Sequence, residues 1–384
     1  MEIRCRCGGC CDGVAESGAG RPYRGVVNWR RKPVLRGAAL VVIVPLIVVT
    51  GVRVADWLWD TAVRGDAVAV FRGDGTSTVT AVAFSPDGRT LITGGFDCRQ
   101  ASCRAILGDV SPDDQSSVWF WDVAGHQPVA PALDGHHAMV RSLAYRPDGR
   151  VIATGDDQDV RLWDAASHRQ LGASLPHAPG AGPVTGLAFS PDGRLLAATD
   201  LTRGVVTLWD AAARTRIVEL PAGSCWTVAF SPDGRLLATG GSGPDRVRLW
   251  DVASWQQAGD QLPVSAVDLA FSPDGRTLAT VAGEAGGSPD RLWLWDVASR
   301  AQLLALATGD RGGVFAVAFS PDGHLLATGG GSAIRFWNPA TRQPVGPRYP
   351  SGDGWVHTIM FTPDGALLAS GASDGTSRLW HTPR

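Results

Sequence analysis

One unit of about 40–45 residues recurs seven times along this chain, and a repeat of that length leaves few folds open. Its first landmark is the turn Ser-Pro-Asp-Gly or a near variant. It stands at Ser85–Gly88, Arg146–Gly149, Ser190–Gly193, Ser231–Gly234, Ser272–Gly275, Ser320–Gly323 and Thr362–Gly365. The second landmark is a tryptophan followed by aspartate, at Trp121-Asp122, Trp163-Asp164, Trp209-Asp210, Trp250-Asp251 and Trp295-Asp296. In the last two units it becomes Trp337-Asn338 and Trp380-His381. Successive tryptophans lie 42, 46, 41, 45, 42 and 43 residues apart. Four short strands fit that period, which is the mark of a propeller blade.

Each unit reads physically as strands a to d. An alternating apolar run such as Val184–Phe189 makes strand a. In Pro-Asp-Gly the proline presets φ and the glycine accepts positive φ, so a tight turn follows. Runs such as Leu195–Ala198 and Val206–Trp209 make strands b and c, and a short run after Trp-Asp makes strand d. One such sheet cannot bury both faces alone, so the units stack around an axis. The expected fold is all-β, a seven-bladed β-propeller of four-stranded antiparallel blades, preceded by one N-terminal transmembrane helix.

The turns and the tryptophans resemble the WD-repeat β-propeller family, in a bacterial-type, membrane-anchored form, over roughly residues 66–384. A second propeller family carries Pro-Asp-Gly turns but lacks the Leu-Trp-Asp ending, which this chain has at Leu162–Asp164, Leu208–Asp210, Leu249–Asp251 and Leu294–Asp296. The resemblance implies a buried His–Ser/Thr–Asp–Trp hydrogen-bond set in each blade. By position the second blade alone is complete, with His136, Thr154, Asp157 and Trp163, while the seventh keeps Ser370, Asp374 and Trp380 without the histidine. These polar groups are read as structural and not as a catalytic triad.

The chain ends four residues after Trp380, which leaves the seventh blade without a strand d. Residues 58–74 (LWDTAVRGDAVAVFRGD) align with 294–310 (LWDVASRAQLLALATGD), so Ala67–Arg72 is expected to supply that strand and close the ring.

Ahead of the repeats, Gly37 to Val52 carries no charge, about 24 Å of helix at 1.5 Å per residue. Extended to residues 34–54 it spans a bilayer, with Arg36 and Arg53 placed to snorkel. A cleaved signal peptide is the rival reading, against which stand a long n-region and Arg53, two residues before Ala55 and so at the −3 position of the cleavage site. Residues 1–36 hold eight basic and three acidic side chains, which places the tail in the cytoplasm and the propeller outside. The expected organisation is a basic cytoplasmic tail at 1–33, the helix at 34–54, a linker at 55–66 and the propeller at 67–384. Cys5, Cys7, Cys10 and Cys11 match no zinc signature with a second ligand pair and read as free thiols.

Net charge of −2 gives no reason to expect nucleic acid as a partner. The distance from turn to tryptophan is 17–19 residues in five units, 23 in the fifth and 36 in the first. Insertions therefore fall near Phe96–Ser116 and Ala282–Asp290, in connections where repeat proteins place binding. Cys98 and Cys103 sit in the larger one, as a short-loop disulfide outside the cytoplasm or as free thiols. Strand a carries two residues between its apolar positions, which suggests a β-bulge. The first of the two is Thr80, Arg141, Thr185, Trp226, Val267, Phe315 and His357 in turn. In the resembled family this neighbourhood lines the face used for partners, so Arg141, Trp226, Phe315 and His357 are the candidate set for a protein or peptide.

The functional expectation is a non-enzymatic scaffold or sensor tethered to the cell membrane as a single-pass protein, binding protein or peptide on the top face, the side of the b–c and d–a connections. It needs no cofactor or metal. An alternative is the sensor half of a signalling system whose effector is encoded separately. A hydrolase or oxidoreductase built on the propeller is a third reading, but the chain has no His-x-x-x-His pair, phosphate loop or clustered metal ligands.

Overall fold

The computed structural model describes residues 67–73, 76–97, 116–136, 138–175, 181–241, 246–282, 291–308, 313–331, 333–352 and 354–383. Seven antiparallel sheets follow one another along these residues. In blade 1, strands a to d are Thr76–Phe84, Thr90–Asp97, Ser116–Asp122 and Gln127–His136. Blade 3 runs from Leu187–Phe189 to Thr215–Pro221, blade 5 from Asp268–Phe271 to Gln302–Ala307, and blade 6 from Val314–Phe319 to Gln343–Pro350. In blades 2 and 4 strand d is reduced to two bridges each, Trp163 to Gln170 and Val160 to Leu175, then Trp250 to Gln257 and Val247 to Leu262. The cause is local. Gly172 and Gly259 take φ of 66° and 76° between the two bridges and interrupt the extended backbone.

Blade 7 takes its strands a to c from Val356–Phe361, Leu367–Ala372 and Thr376–His381. Its outer strand is Ala67–Arg72, antiparallel to Thr376–His381 with Phe71 opposite Ser377 and Arg72 opposite Thr376. The propeller is thus seven-bladed and all-β. Residues 34–54 lie outside the described residues, among which no helix is long and apolar enough to cross a membrane.

Each blade buries its faces against its neighbours. One apolar cluster joins Val118, Phe120 and Leu133 of blade 1 to Val140, Leu143, Ile152 and Trp163 of blade 2. Across the closing seam, Phe71 and Leu379 of blade 7 pack with Val82, Leu91 and Trp121 of blade 1, the Phe71 and Trp121 rings 5.1 Å apart.

Two further rings of contact reinforce the stack. In each Ser-Pro-Asp-Gly turn the serine hydroxyl donates to the aspartate, as from Ser190 to Asp192 at 2.6 Å. Each turn glycine lies over a proline of the preceding blade's turn, and at the seam a β-carbon on Gly88 would sit 3.3 Å from Pro363 Cδ. The second ring is in the c–d turns. His126, His168, Arg214, Trp255, Arg300 and Arg342 hold φ between 56° and 64°, which costs a non-glycine residue about 1 kcal/mol or more. Four of these side chains reach the preceding blade. His126 faces Phe71 edge-on at 6.3 Å, and His168 stacks on Phe120 at 4.2 Å. Arg214 donates to the Ala173 carbonyl, and Arg300 to that of Ala258 at 2.6 Å. Glycine would relieve the backbone but lose the inter-blade contact.

Removing residues 55–73 should lower the thermal midpoint far more than removing 1–54, because the first change exposes Phe71's partners and unpairs blade 7. Phe71→Ala alone should cost about 3–5 kcal/mol in denaturant unfolding. Equal midpoints for the two truncations would remove the closing role from Ala67–Arg72.

Candidate functional site

Strand a does not run straight into its blade. Its ladder to strand b skips one residue between Val79 and Ala81, Cys225 and Thr227, Val314 and Ala316, and Val356 and Thr358. The skipped residues are Thr80, Trp226, Phe315 and His357. In blades 2 and 5 the N–H groups at the same place, Arg141 and Val267, bond the carbonyls of Gly155 and Val281, both at 2.9 Å. In blade 3 Thr185 and Gly186 give their N–H groups to Thr199 Oγ1 at 3.1 and 2.9 Å. A bulge turns its extra side chain out of the pleat. All seven of these residues line one axial cavity of about 500 Å³. They pair with the ends of strand b that lead into the b–c connections, and so lie away from the Pro-Asp-Gly turns.

Several small polar side chains around this cavity are committed to joining blades. Thr80 Oγ1 donates to the Val140 carbonyl of blade 2. Ser142 donates to Val184 O of blade 3 at 2.9 Å, and Thr185 to Cys225 O of blade 4 at 3.3 Å. Thr227 donates to Asp268 Oδ1 of blade 5 at 3.2 Å, and Asp268 Oδ2 accepts the Val317 N–H of blade 6 at 2.8 Å. At the closing seam the Phe84 N–H points at Met360 Sδ, 3.4 Å away. Between blades 6 and 7 rings replace polar bonds. Phe315 stacks on Trp355 at 5.8 Å and 14°, and lies 6.3 Å from His357.

The larger side chains named from sequence remain at the cavity mouth. Arg141 is held by Asp157, Nε to Oδ1 and Nη2 to Oδ2 at 3.4 Å, with a third of its side chain exposed. Trp226 is 38% exposed. Burial holds His357 below the usual histidine pKa, so its ring is neutral near pH 7. Sequence reading missed two participants. Trp355, 52% exposed, has its backbone pinned by Ser373, whose Oγ accepts the Trp355 N–H at 2.8 Å. It precedes strand a by one residue, outside the positions compared across blades. Asp268 was visible as a carboxylate where the other blades carry Ala81, Ser142, Gly186, Thr227, Ala316 and Thr358. Burial raises its pKa to about 6 against the Val317, Leu269 and Thr227 hydrogen bonds that lower it.

The hydrogen-bond set of blade 2 requires a correction. His136 Nδ1 lies 2.8 Å from Asp156 Oδ2, and it is Asp156, not Asp157, that completes the set. Asp156 Oδ1 caps the b–c turn by accepting the Gln158 and Asp159 N–H groups at 2.8 and 2.7 Å, which aims Oδ2 back at the histidine. Asp157 turns outward to Arg141. Trp163 Nε1–H donates to Thr154 Oγ1 at 2.8 Å, and Thr154 lies 2.8 Å from His136 Nε2. One direction of donation satisfies every member: Trp163 to Thr154, Thr154 to Nε2, and Nδ1–H to Asp156. That requires a neutral histidine, and burial depresses the His136 pKa despite Asp156. Burial alone would raise Asp156, but the bonds from His136, Gln158 and Asp159 outweigh it and lower its pKa.

The tryptophan half of this set is more widespread than position suggested. Trp121, Trp250, Trp295, Trp337 and Trp380 donate to Thr93, Thr239, Thr280, Thr328 and Ser370 at 2.9–3.1 Å. Blade 3 has Ala198 at that place. In blade 7 the acid has another partner, Arg378, whose Nη2 lies 2.6 Å from Asp374 Oδ2 with the guanidinium almost fully buried. Cys98 and Cys103 lie outside the described residues. Among the described residues no group of three or more His, Cys, Asp or Glu is placed to hold a metal ion.

Asp156→Ala should cost about 3 kcal/mol in urea unfolding, since it strands a buried histidine donor and two turn N–H groups. Asp157→Ala should cost under about 1 kcal/mol, because its partner is solvated. The native His136 pKa lies below its unfolded value, so the unfolded chain takes up the proton first. Its contribution to stability is complete above about pH 6.5 and falls as pH drops through that value. The loss between about pH 6.5 and 5 should be smaller in His136→Gln. A profile unchanged by that substitution would mean that His136 carries no such linkage.

Comparison with known proteins agrees with this architecture. Residues 65–99, 127–164, 170–210, 215–251, 302–338 and 348–381 match the family described as WD domain, G-beta repeat, more than half of the chain in all. The unmatched stretches hold the two enlarged b–c connections. A guanine nucleotide-binding protein subunit beta of Arabidopsis thaliana is 33% identical over 113 residues, 29% of this chain and 30% of that protein. Human apoptotic protease-activating factor 1 is 33% identical over 96 residues, 23% of this chain and 8% of its own length. Pre-mRNA-processing factor 19 homolog 2 of Arabidopsis thaliana is 29% identical over 148 residues, 38% of this chain and 24% of that protein. Each match spans less than a third of the relative's length. The repeated sequence, the seven sheets and these matches together make the chain a member of the WD-repeat family.

Proposed function

We propose that this protein is a non-catalytic interaction scaffold, tethered to the membrane by residues 34–54, that docks a protein or peptide where Arg141, Trp226, Phe315 and His357 surround the axial cavity. The observation that carries the reading is the division of labour at the bulge. Threonines and a serine there join blade to blade, while large side chains of recognition type gather at one mouth. Arginine and aromatic residues supply most of the binding energy at protein interfaces. Trp355 enlarges the apolar surface there. The relatives point the same way, since one is named as a subunit and two as factors, and each matches only part of its length to this chain.

The tether rests on sequence alone. An uncharged run follows a basic tail, which favours a cytoplasmic N-terminus and an external propeller. A scaffold of this kind serves equally as the sensing half of a system whose effector lies on another chain.

With a partner captured from the native host on the propeller, Trp226→Ala and Arg141→Ala should each weaken binding by about 2 kcal/mol or more. Arg235→Ala, in an exposed Pro-Asp-Gly turn, should leave affinity unchanged. The reverse pattern, in variants that melt like the parent, would move the interface to the other face. Protease added to intact cells should remove the propeller and leave residues before Val34 in the membrane fraction. A propeller protected in intact cells, or a mature chain starting near residue 55, would refute the tether.

A further inference from the structure

Among the described residues, the wall of the cavity carries one carboxylate, Asp268, with no cation paired to it. Arg141 is neutralised by Asp157 on its own blade. His357 is held neutral near pH 7 by burial. Asp268 is fixed by three donors, Thr227 Oγ1, Leu269 N and Val317 N, at 3.2, 2.9 and 2.8 Å. None of these carries a charge. A carboxylate offers about four lone-pair positions, and three donors leave it able to accept another. Of the strands packed on Asp268, those of blade 4 bring one ionisable group, the buried Cys225 thiol, and those of blades 5 and 6 bring none.

The surroundings are aromatic. Thr227, which holds Asp268 from one side, is preceded by Trp226. Val317, which holds it from the other, follows Phe315 by two residues, and Phe315 is stacked on Trp355. Asp268 therefore shares its cavity wall with an indole on the blade before it, Trp226 of blade 4, and with Phe315 on the blade after it, whose ring is stacked on Trp355 of blade 7. A fixed carboxylate in a cavity also lined by aromatic side chains is the chemistry that takes a cationic side chain. The rings attract its charge, and the carboxylate pairs with its N–H groups.

We propose that the partner inserts an arginine or lysine side chain into the blade 4–6 sector of this cavity, against Asp268 and between Trp226 and Phe315. This rests on the scaffold reading and specifies the chemistry of its ligand. Binding then gains strength as Asp268 ionises, with a midpoint near pH 6. His357, on the same cavity wall, acts in the same direction, since it gains charge only as pH falls.

The test is a positional-scanning peptide library bound to the full chain, with cationic, anionic, aromatic and aliphatic residues permuted at each position. At pH 7.5 one position should enrich for arginine or lysine by about tenfold over leucine, roughly 1.4 kcal/mol. That enrichment should fall to parity at pH 5 and in Asp268→Asn, and Trp226→Ala should reduce it. The pH comparison keeps the test independent of whether the Asp268→Asn propeller folds, which its melting curve reports. Enrichment for another residue class, abolished by Trp226→Ala, would overturn the cationic ligand and leave the scaffold's face intact. Enrichment indifferent to Trp226→Ala, or none at all, would overturn both.

Discussion

Ring closure is the constraint on which the rest of this molecule depends. A blade has two apolar faces, and both are buried only when every blade has two neighbours. The last blade gains its outer strand from Ala67–Arg72 and its neighbour from blade 1, so one short segment completes both a sheet and a ring. The seam is held at three depths. Phe71 packs with Trp121 near the rim, Gly88 lies over Pro363 at the turn ring, and the Phe84 N–H meets Met360 sulfur at the axis.

Closure also explains what the inner strands can spare for binding. Each blade must be tied to the next around the axis, and hydroxyls at or beside the bulge make most of those ties. Thr80, Ser142, Thr185 and Thr227 are short enough to reach the adjacent backbone or Asp268 without leaving the wall. Arg141, Trp226, Phe315 and His357 stand at the same structural position but are too large for that task. Between blades 6 and 7 the tie is a ring stack, which holds the blades together and leaves Trp355 half exposed. One repeated irregularity thus serves as both rivet and anchor, and side-chain size decides which.

Most of this architecture was legible in the sequence because it repeats. Seven turns and seven tryptophans set the blade count, and the likeness between residues 58–74 and 294–310 located the closing strand. The bulge was legible because three apolar positions with a two-residue gap recur in each unit. What spacing could not decide was the choice between neighbours. Asp156 and Asp157 are adjacent, and only the turn's own N–H groups determine which of them faces His136. The positive-φ residues of the c–d turns were equally hidden, since histidine, arginine and tryptophan there give no hint of a left-handed backbone. Their reason is tertiary, a contact with the preceding blade that outweighs a local cost.

The wall of the cavity shows how a single departure from the repeat can matter. The residue before the closing aromatic of strand a is alanine in six blades, at Ala83, Ala144, Ala188, Ala229, Ala270 and Ala318. These small side chains help keep the axis open. In blade 7 the residue is Met360, 37% exposed and lining the cavity. Methionine is long, unbranched and polarisable, which suits it to fill irregular space and to accept a weak hydrogen bond. It stands at the seam where the two ends of the propeller meet and receives the Phe84 N–H of blade 1. Alanine could not reach that group. The repeat is broken at the one junction that the order of the chain does not tie, and the substituted side chain supplies a link there.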